Sequence, residues 1–152
     1  MEIKRYRAAG GVVVQQGLVD GLDAEQTYVL VLDRPTRGEV RLPKGHIEVG
    51  ESDASAALRE TAEEAGYADL RVLADLGHQQ VAYDYKGYHY IREERYFLMQ
   101  LASDTRQAQA EEDAAQFQVR WVTVDEALTE LSFDAERRWL ERASVVLARQ
   151  AS

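Results

Sequence analysis

The chain has 152 residues, 45% of them hydrophobic, which suits one globular domain (1–152) with a core of its own. Its net charge of −9 argues against a protein that grips nucleic acid by the phosphate backbone, and it would repel a polyphosphate at long range unless a cation intervened. There is no cysteine for disulfides or thiolate metal sites, no apolar run near the ~18 residues of a membrane span, and no secretory layout at the N-terminus, so a cytoplasmic protein is expected.

In chain order, residues 7–14 (RAAGGVVV) predict a strand whose Gly10-Gly11 pair marks a bulge or a close backbone approach. Residues 15–26 are polar and read as a long hairpin connection, followed by a buried strand over 28–32 and a turn at Arg34-Pro35-Thr36-Arg37-Gly38. Residues 39–42 lead into Pro43-Lys44-Gly45. Past Gly66, strands are expected over 70–76, 79–85, 88–91 and 94–101, with Lys86-Gly87 as a hairpin turn. Residues 102–115 are polar and acidic, a loop. A strand over 117–122, a short helix over 125–131 capped by Thr123 or Asp125, and an amphipathic helix over 133–148 complete the chain. This pattern is α/β.

The most informative stretch lies between Gly45 and Tyr67. Ser52 and Asp53 can cap a helix, Ala and Leu favour it, and Gly66 stands where a helix stops. Ala54, Ala57, Leu58, Thr61 and Ala65 fall on one face and are expected to pack inward. Glu60, Glu63 and Glu64 share a neighbouring face near the C-terminal end, where like charges repel one another and oppose the helix dipole. Arg59 relieves part of this. A hard divalent cation, which takes carboxylate, carbonyl and substrate phosphate oxygens, would relieve far more. A run of Glu and Arg is usually just a solvated face. Here the glycine, the spaced Glu51 and the Arg-Glu…Glu-Glu…Gly run occur together.

Those residues resemble the signature of the Nudix (MutT-like) hydrolase family: Gly, five residues, Glu, seven residues, Arg-Glu, an apolar residue, any residue, Glu-Glu, any residue, Gly and an apolar residue. Gly45, Glu51, Arg59, Glu60, Glu63, Glu64 and Gly66 fill every fixed position, while Thr61 departs mildly from an apolar one. The resemblance implies a Nudix-type α-β-α sandwich around a mixed sheet and a Mg²⁺ site, with Mn²⁺ as a possible substitute. It makes Glu60, Glu63, Glu64 and the Gly45 carbonyl metal ligands, and Glu60 an alternative general base. By the same resemblance Arg59 orients the glutamates or touches phosphate. Glu51 either assists the metal through water and holds the loop or is a simple helix-start carboxylate.

The run LPKGHIEVGES also resembles the Nudix subgroup that cleaves diadenosine polyphosphates, and the diphosphoinositol-polyphosphate group. Lys44 and His46 are candidates for phosphate contact, against their plain readings as a solvated charge and a structural histidine. Many family members add a second catalytic glutamate from the loop before the last strand. Here that loop holds Glu111, Glu112 and Asp113, and an acidic loop without function is the competing reading. Of the tyrosines crowding 83–96, most read as half-buried strand residues, with Tyr83 and Tyr96 as candidates to stack on a nucleobase. The expected activity is Mg²⁺-dependent cleavage of a phosphoanhydride in a nucleoside diphosphate linked to another moiety, first a diadenosine polyphosphate. ADP-ribose or a nucleoside triphosphate are alternatives, as is a nucleotide-sensing domain without turnover. The expected partner is a small nucleotide or polyphosphate, with no nucleic acid or membrane and a monomer or homodimer equally open.

Overall fold

The computed structural model describes residues 1–151. In order, the chain forms β1 (Glu2–Gln15), β2 (Tyr28–Arg34), a 3₁₀ turn (Pro35–Arg37), β3 (Glu39–Arg41), β4 (Lys44–His46), α1 (Asp53–Ala65), β5 (Leu70–Tyr85) and β6 (Tyr88–Leu101). Then come α2 (Glu111–Gln116), β7 (Gln118–Thr123), α3 (Val124–Glu130) and α4 (Asp134–Ala151). The strands make a seven-stranded mixed sheet of order β3-β2-β1-β6-β5, with β4 paired to β1 and β7 to β2. β1 and β6 run parallel from Glu2↔Tyr88 to Val13↔Met99; the other pairings are antiparallel.

The second half of β1 is buried on both faces, as its small and β-branched composition requires. Ala9 and Val13 join Leu30 and Leu32 against Ala56, Ala57 and Ala65 of α1. Val12 and Val14, one residue out of phase, join Val29 and Val31 against Leu131, Trp139 and Leu140. The sheet is thus filled between α1 and the α3–α4 pair, the α-β-α sandwich expected. Each fully buried side chain of the size of Leu140 contributes about 1.5–3 kcal/mol.

Glycines 10 and 11 mark a close approach. A Cβ on Gly10 would collide with the Pro43 carbonyl, and one on Gly11 would lie 2.7 Å from Met99 Sδ and 2.9 Å from Thr61 Oγ1. Bringing α1 and the Pro43 loop onto β1 therefore needs both. Thr61, at the motif's apolar position, is fully buried with its hydroxyl unpartnered.

Several elements differ from the sequence expectation. β1 begins at Glu2, because β6 supplies a parallel ladder for the polar residues 2–6. The four strands expected between 70 and 101 are two long ones, β5 interrupted only by register shifts at Val72/Ala74 and Asp75/Gly77. Lys86 and Gly87 both take positive φ, 48° and 85°, as a tight hairpin of primed type demands. The acidic loop contains α2. Thr123 caps α3 in a reciprocal box with Glu126, which settles that cap. No helix among the described residues is long and apolar enough to cross a membrane.

Candidate functional site

Three pieces of chain build the site: β4, the loop to Glu51, and the second half of α1. Ladder pairs Ala8↔His46, Ala9↔Gly45 and Gly10↔Lys44 pin β4 to β1. The helix starts on the Ser52 hydroxyl, which accepts from the Ser55 N–H, and stops at Gly66 with φ 75°. Its inward face includes Ala57, Thr61 and Ala65 as expected, with Ala54 and Leu58 half-buried beside them. It also buries Glu64, which the wheel placed on the acidic face.

Glu64 Oε1 accepts the Lys44 N–H at 2.7 Å. Burial pushes its carboxyl up to about 8, against the pull of that N–H and with the charge of Asp113 adding to the rise. Glu60 packs directly on Gly45: a side chain at 45 would overlap its carboxylate, so only glycine fits. Burial raises the Glu60 pKa as well, opposed by Arg59.

Arg59 is the hub. Its Nε and one terminal nitrogen form a two-pronged bond to Glu51 at 2.7 and 2.9 Å. The second prong also reaches the His46 carbonyl at 3.1 Å, and the other terminal nitrogen donates to Glu60 at 2.7 Å and Glu63 at 3.4 Å. The guanidinium hydrogen-bonded to it holds Glu51 down at about 2. Glu51 is therefore tied to Arg59 and, through the Glu48 N–H, to its own loop.

In this arrangement Glu60 and Glu63 are turned onto Arg59 and Glu64 onto a backbone amide. Accordingly, no three acidic or histidine side chains among the described residues converge as a metal cluster. The donor set still fits a hard divalent ion. It is all oxygen, it packs against the backbone of a glycine, and one arginine faces Glu51, Glu60 and Glu63, with buried Glu64 beside them and no cationic side chain at ion-pair distance. Side-chain rotation off Arg59 is what ion binding would require.

The remaining candidates separate. Glu111 and Glu112 are exposed, whereas Asp113 turns inward; its charge acts on Glu60 and Glu64, and burial first, then the charge of Glu63, raises its own pKa. One helical turn decides between adjacent acids, and composition could not. Lys44 directs its ammonium to Glu136 Oε2 of α4 at 3.5 Å, so it is already paired. His46 stands edge-on to Tyr6, ring centroids 4.7 Å apart. Tyr83 stacks on Tyr90 and shares a 2.7 Å hydrogen bond with the Tyr6 hydroxyl; burial and that bond push it up to about 12. Tyr96 is a correction: its ring is fully buried and stacked on Trp139 at 4.8 Å, leaving no face for a base.

A pocket of about 160 Å³ opens beside Gly45 and Glu64, lined also by Tyr6, Arg41, Lys44, His46, Arg92 and Phe117. Arg41 and Arg92 were missed in the sequence. Arg41 lies just upstream of Gly45 but outside the motif, and Arg92 is far from it in the chain; the pairing of β3 with β2 and of β6 with β1 sets both here. Behind the pocket lies a buried polar set. Glu94 accepts from Arg92 Nε at 2.6 Å and Trp139 Nε1 at 2.9 Å, and Glu136 accepts the Leu42 N–H at 2.7 Å.

The family model described as NUDIX domain matches residues 7–143. A curated relative named "Putative mutator protein MutT4", from Mycobacterium tuberculosis (strain CDC 1551 / Oshkosh), is 33% identical over 142 residues, 92% of this chain and 55% of that protein. "Bis(5'-nucleosyl)-tetraphosphatase [asymmetrical]" of Sus scrofa is 42% identical over 62 residues, 40% of this chain and 42% of that protein. The chain thus spans about half the length of the curated relatives it matches. Among solved structures, a C. elegans Ap4A hydrolase binary complex is similar in fold with TM-score 0.70, at 24% identity over 94% of this chain and 98% of that one. A NUDIX hydrolase from Nitrosomonas europaea has TM-score 0.67, at 19% identity over 93% and 90%.

Proposed function

The chain belongs to the Nudix hydrolase family, and from that premise we propose that it is a Mg²⁺-dependent hydrolase of dinucleoside polyphosphates, cleaving a phosphoanhydride bond with water. The observation that carries this reading is the carboxylate surplus around a single arginine, set against a pocket lined by cations. An acid-rich corner suits a divalent ion, and the pocket beside it, where Arg41 has no carboxylate partner among the described residues, suits the phosphate chain that the ion would share. The names of two similar proteins, the Sus scrofa tetraphosphatase and the C. elegans Ap4A hydrolase, support the choice of substrate.

Glu60, Glu63, Glu64 and the Gly45 carbonyl would hold Mg²⁺, which when bound lowers the pKa of a water and neutralises phosphate charge. In its alternative role, as general base instead of ligand, Glu60 would take the proton of the attacking water as that oxygen bonds to phosphorus and the anhydride P–O bond breaks toward the leaving phosphate. Without the ion, Arg59 bridges the Glu60 and Glu63 carboxylates of the helix to Glu51 and the His46 carbonyl of the loop. Asp113 takes the place foreseen for Glu111 or Glu112 as the acid arriving from the segment before β7. His46 lines the approach. The protein acts mainly by positioning and charge, as phosphoryl transfer requires.

A panel of diadenosine polyphosphates, ADP-ribose and nucleoside triphosphates, assayed for released nucleotide with Mg²⁺ or Mn²⁺, tests this. Turnover should be fastest on diadenosine tetraphosphate and absent in EDTA. A protein inert on every anhydride, yet binding nucleotide tightly, would instead be a sensor.

A further inference from the structure

Three cations of this acidic chain, Arg41, Lys44 and Arg92, line the pocket beside Glu64, and two of them are already neutralised. Lys44 pairs with Glu136, and Arg92 pairs with the fully buried Glu94. Arg41 has no carboxylate at ion-pair distance among the described residues. Its guanidinium lies over the Phe133 ring at 5.2 Å instead.

That placement leaves a usable group. An arginine stacked on an aromatic face keeps its in-plane N–H fork free, and the fork matches phosphate oxygens in pairs. The support is firm from both sides. Arg41 sits in register with Leu32 of β2. Ser132, the neighbour of Phe133, donates its N–H to the Val40 carbonyl at 3.0 Å, and its hydroxyl accepts the Val40 N–H at 2.8 Å. Arg41 and Phe133 are thus held side by side before any ligand arrives, which lowers the ordering cost of binding.

We infer that Arg41 is a specificity-determining residue that binds a phosphate beyond the two of the bond being cleaved, so that the pocket selects polyphosphate chains over simple diphosphates. This rests on the hydrolase reading for its substrate, but the anion site itself does not. Lys44 and Arg92 contribute shape and local neutrality, and Arg41 supplies the unbalanced positive charge.

Steady-state kinetics of Arg41→Gln on diadenosine tetraphosphate and ADP-ribose read the selectivity. The expected result is a KM for the tetraphosphate raised about tenfold or more, kcat within about twofold, and ADP-ribose unaffected, as loss of one charge-assisted contact implies. Arg41→Lys should recover part of the loss, and thermal melting of both variants should match the wild type. Equal effects on the two substrates, or none, overturn the inference. Calorimetry with inorganic tripolyphosphate in EDTA reads the anion site without turnover. Binding should weaken about tenfold in Arg41→Gln, and unchanged binding, or none in the wild type, overturns it. If the wild type hydrolyses nothing while Arg41→Gln still loses tripolyphosphate, the hydrolase reading fails and the anion site stands.

Discussion

At the C-terminal half of α1 one arginine serves Glu51, Glu60 and Glu63 together, whereas behind the pocket Glu94 and Glu136 each have a cation and neutral donors of their own. Both sets are acidic and lie near one another in the fold. The inner set is locally neutral and almost wholly buried, so its charges are matched where desolvation costs most. The outer set carries more negative charge than Arg59 can balance. A buried carboxylate with partners of its own is a structural member; the surplus carboxylates at the pocket mouth support the proposed cation site.

Removing an inner acid should have the largest effect. Glu94→Ala strands Arg92 and the Trp139 N–H, and a loss of about 3–5 kcal/mol is expected. At about 2–4 °C per kcal/mol for a chain of this size, thermal melting will show it. A melting point within a degree or two of wild type would erase the distinction between the two sets.

Glu64→Gln comes next, with the opposite signature. Turnover should fall about 10²- to 10³-fold, while metal-free stability holds or rises, because the amide keeps an acceptor for the Lys44 N–H without a buried charge. Near wild-type turnover at saturating Mg²⁺ removes Glu64 from the site.

Arg59→Gln frees Glu51, Glu60 and Glu63 from their common donor. About a 10- to 100-fold loss of activity is expected, the scale seen when partners that orient metal ligands are lost. If Glu51→Gln costs as much as Arg59→Gln, the hub is the pair rather than the arginine.

The smallest effect is in pH. Glu51 sits at about 2 in the folded protein against an ordinary 4.5, so its contribution is complete above pH 4.5 and is lost as pH falls toward 2. Glu64 runs the other way. Its folded value of about 8 lies above the ordinary 4.5, so metal-free stability declines as pH rises through that interval. Denaturation of the metal-free protein followed against pH should show the acid limb shallower in Glu51→Gln and the alkaline limb shallower in Glu64→Gln. Limbs unchanged in both variants would separate these carboxyls from the pH response.

Most of the acidic corner could be read from the chain because it is local. Gly45 to Gly66 form one loop and one helix, and helical spacing alone brings Glu60, Glu63 and Glu64 together with Arg59. The same locality gave the caps at Ser52 and Gly66. What failed to read was non-local. Tyr96 looked like a base-stacking candidate because an aromatic ring at a groove can stack on a base, but Trp139 of α4 covers its ring. Asp113 was inseparable from Glu111 and Glu112 until α2 turned one of the three inward. Arg41 and Arg92 carried no motif at all.

The sequence alone therefore determined the family, the loop and helix that hold the carboxylates, and the surplus of negative charge on that helix, since all of these depend on spacing within about twenty residues. Tertiary structure decided which cations were already taken. Arg92 and Glu94, two apart on one strand face, pair locally, but Glu136 reaching Lys44 and Phe133 reaching Arg41 are outcomes of sheet order and helix packing that no local pattern encodes.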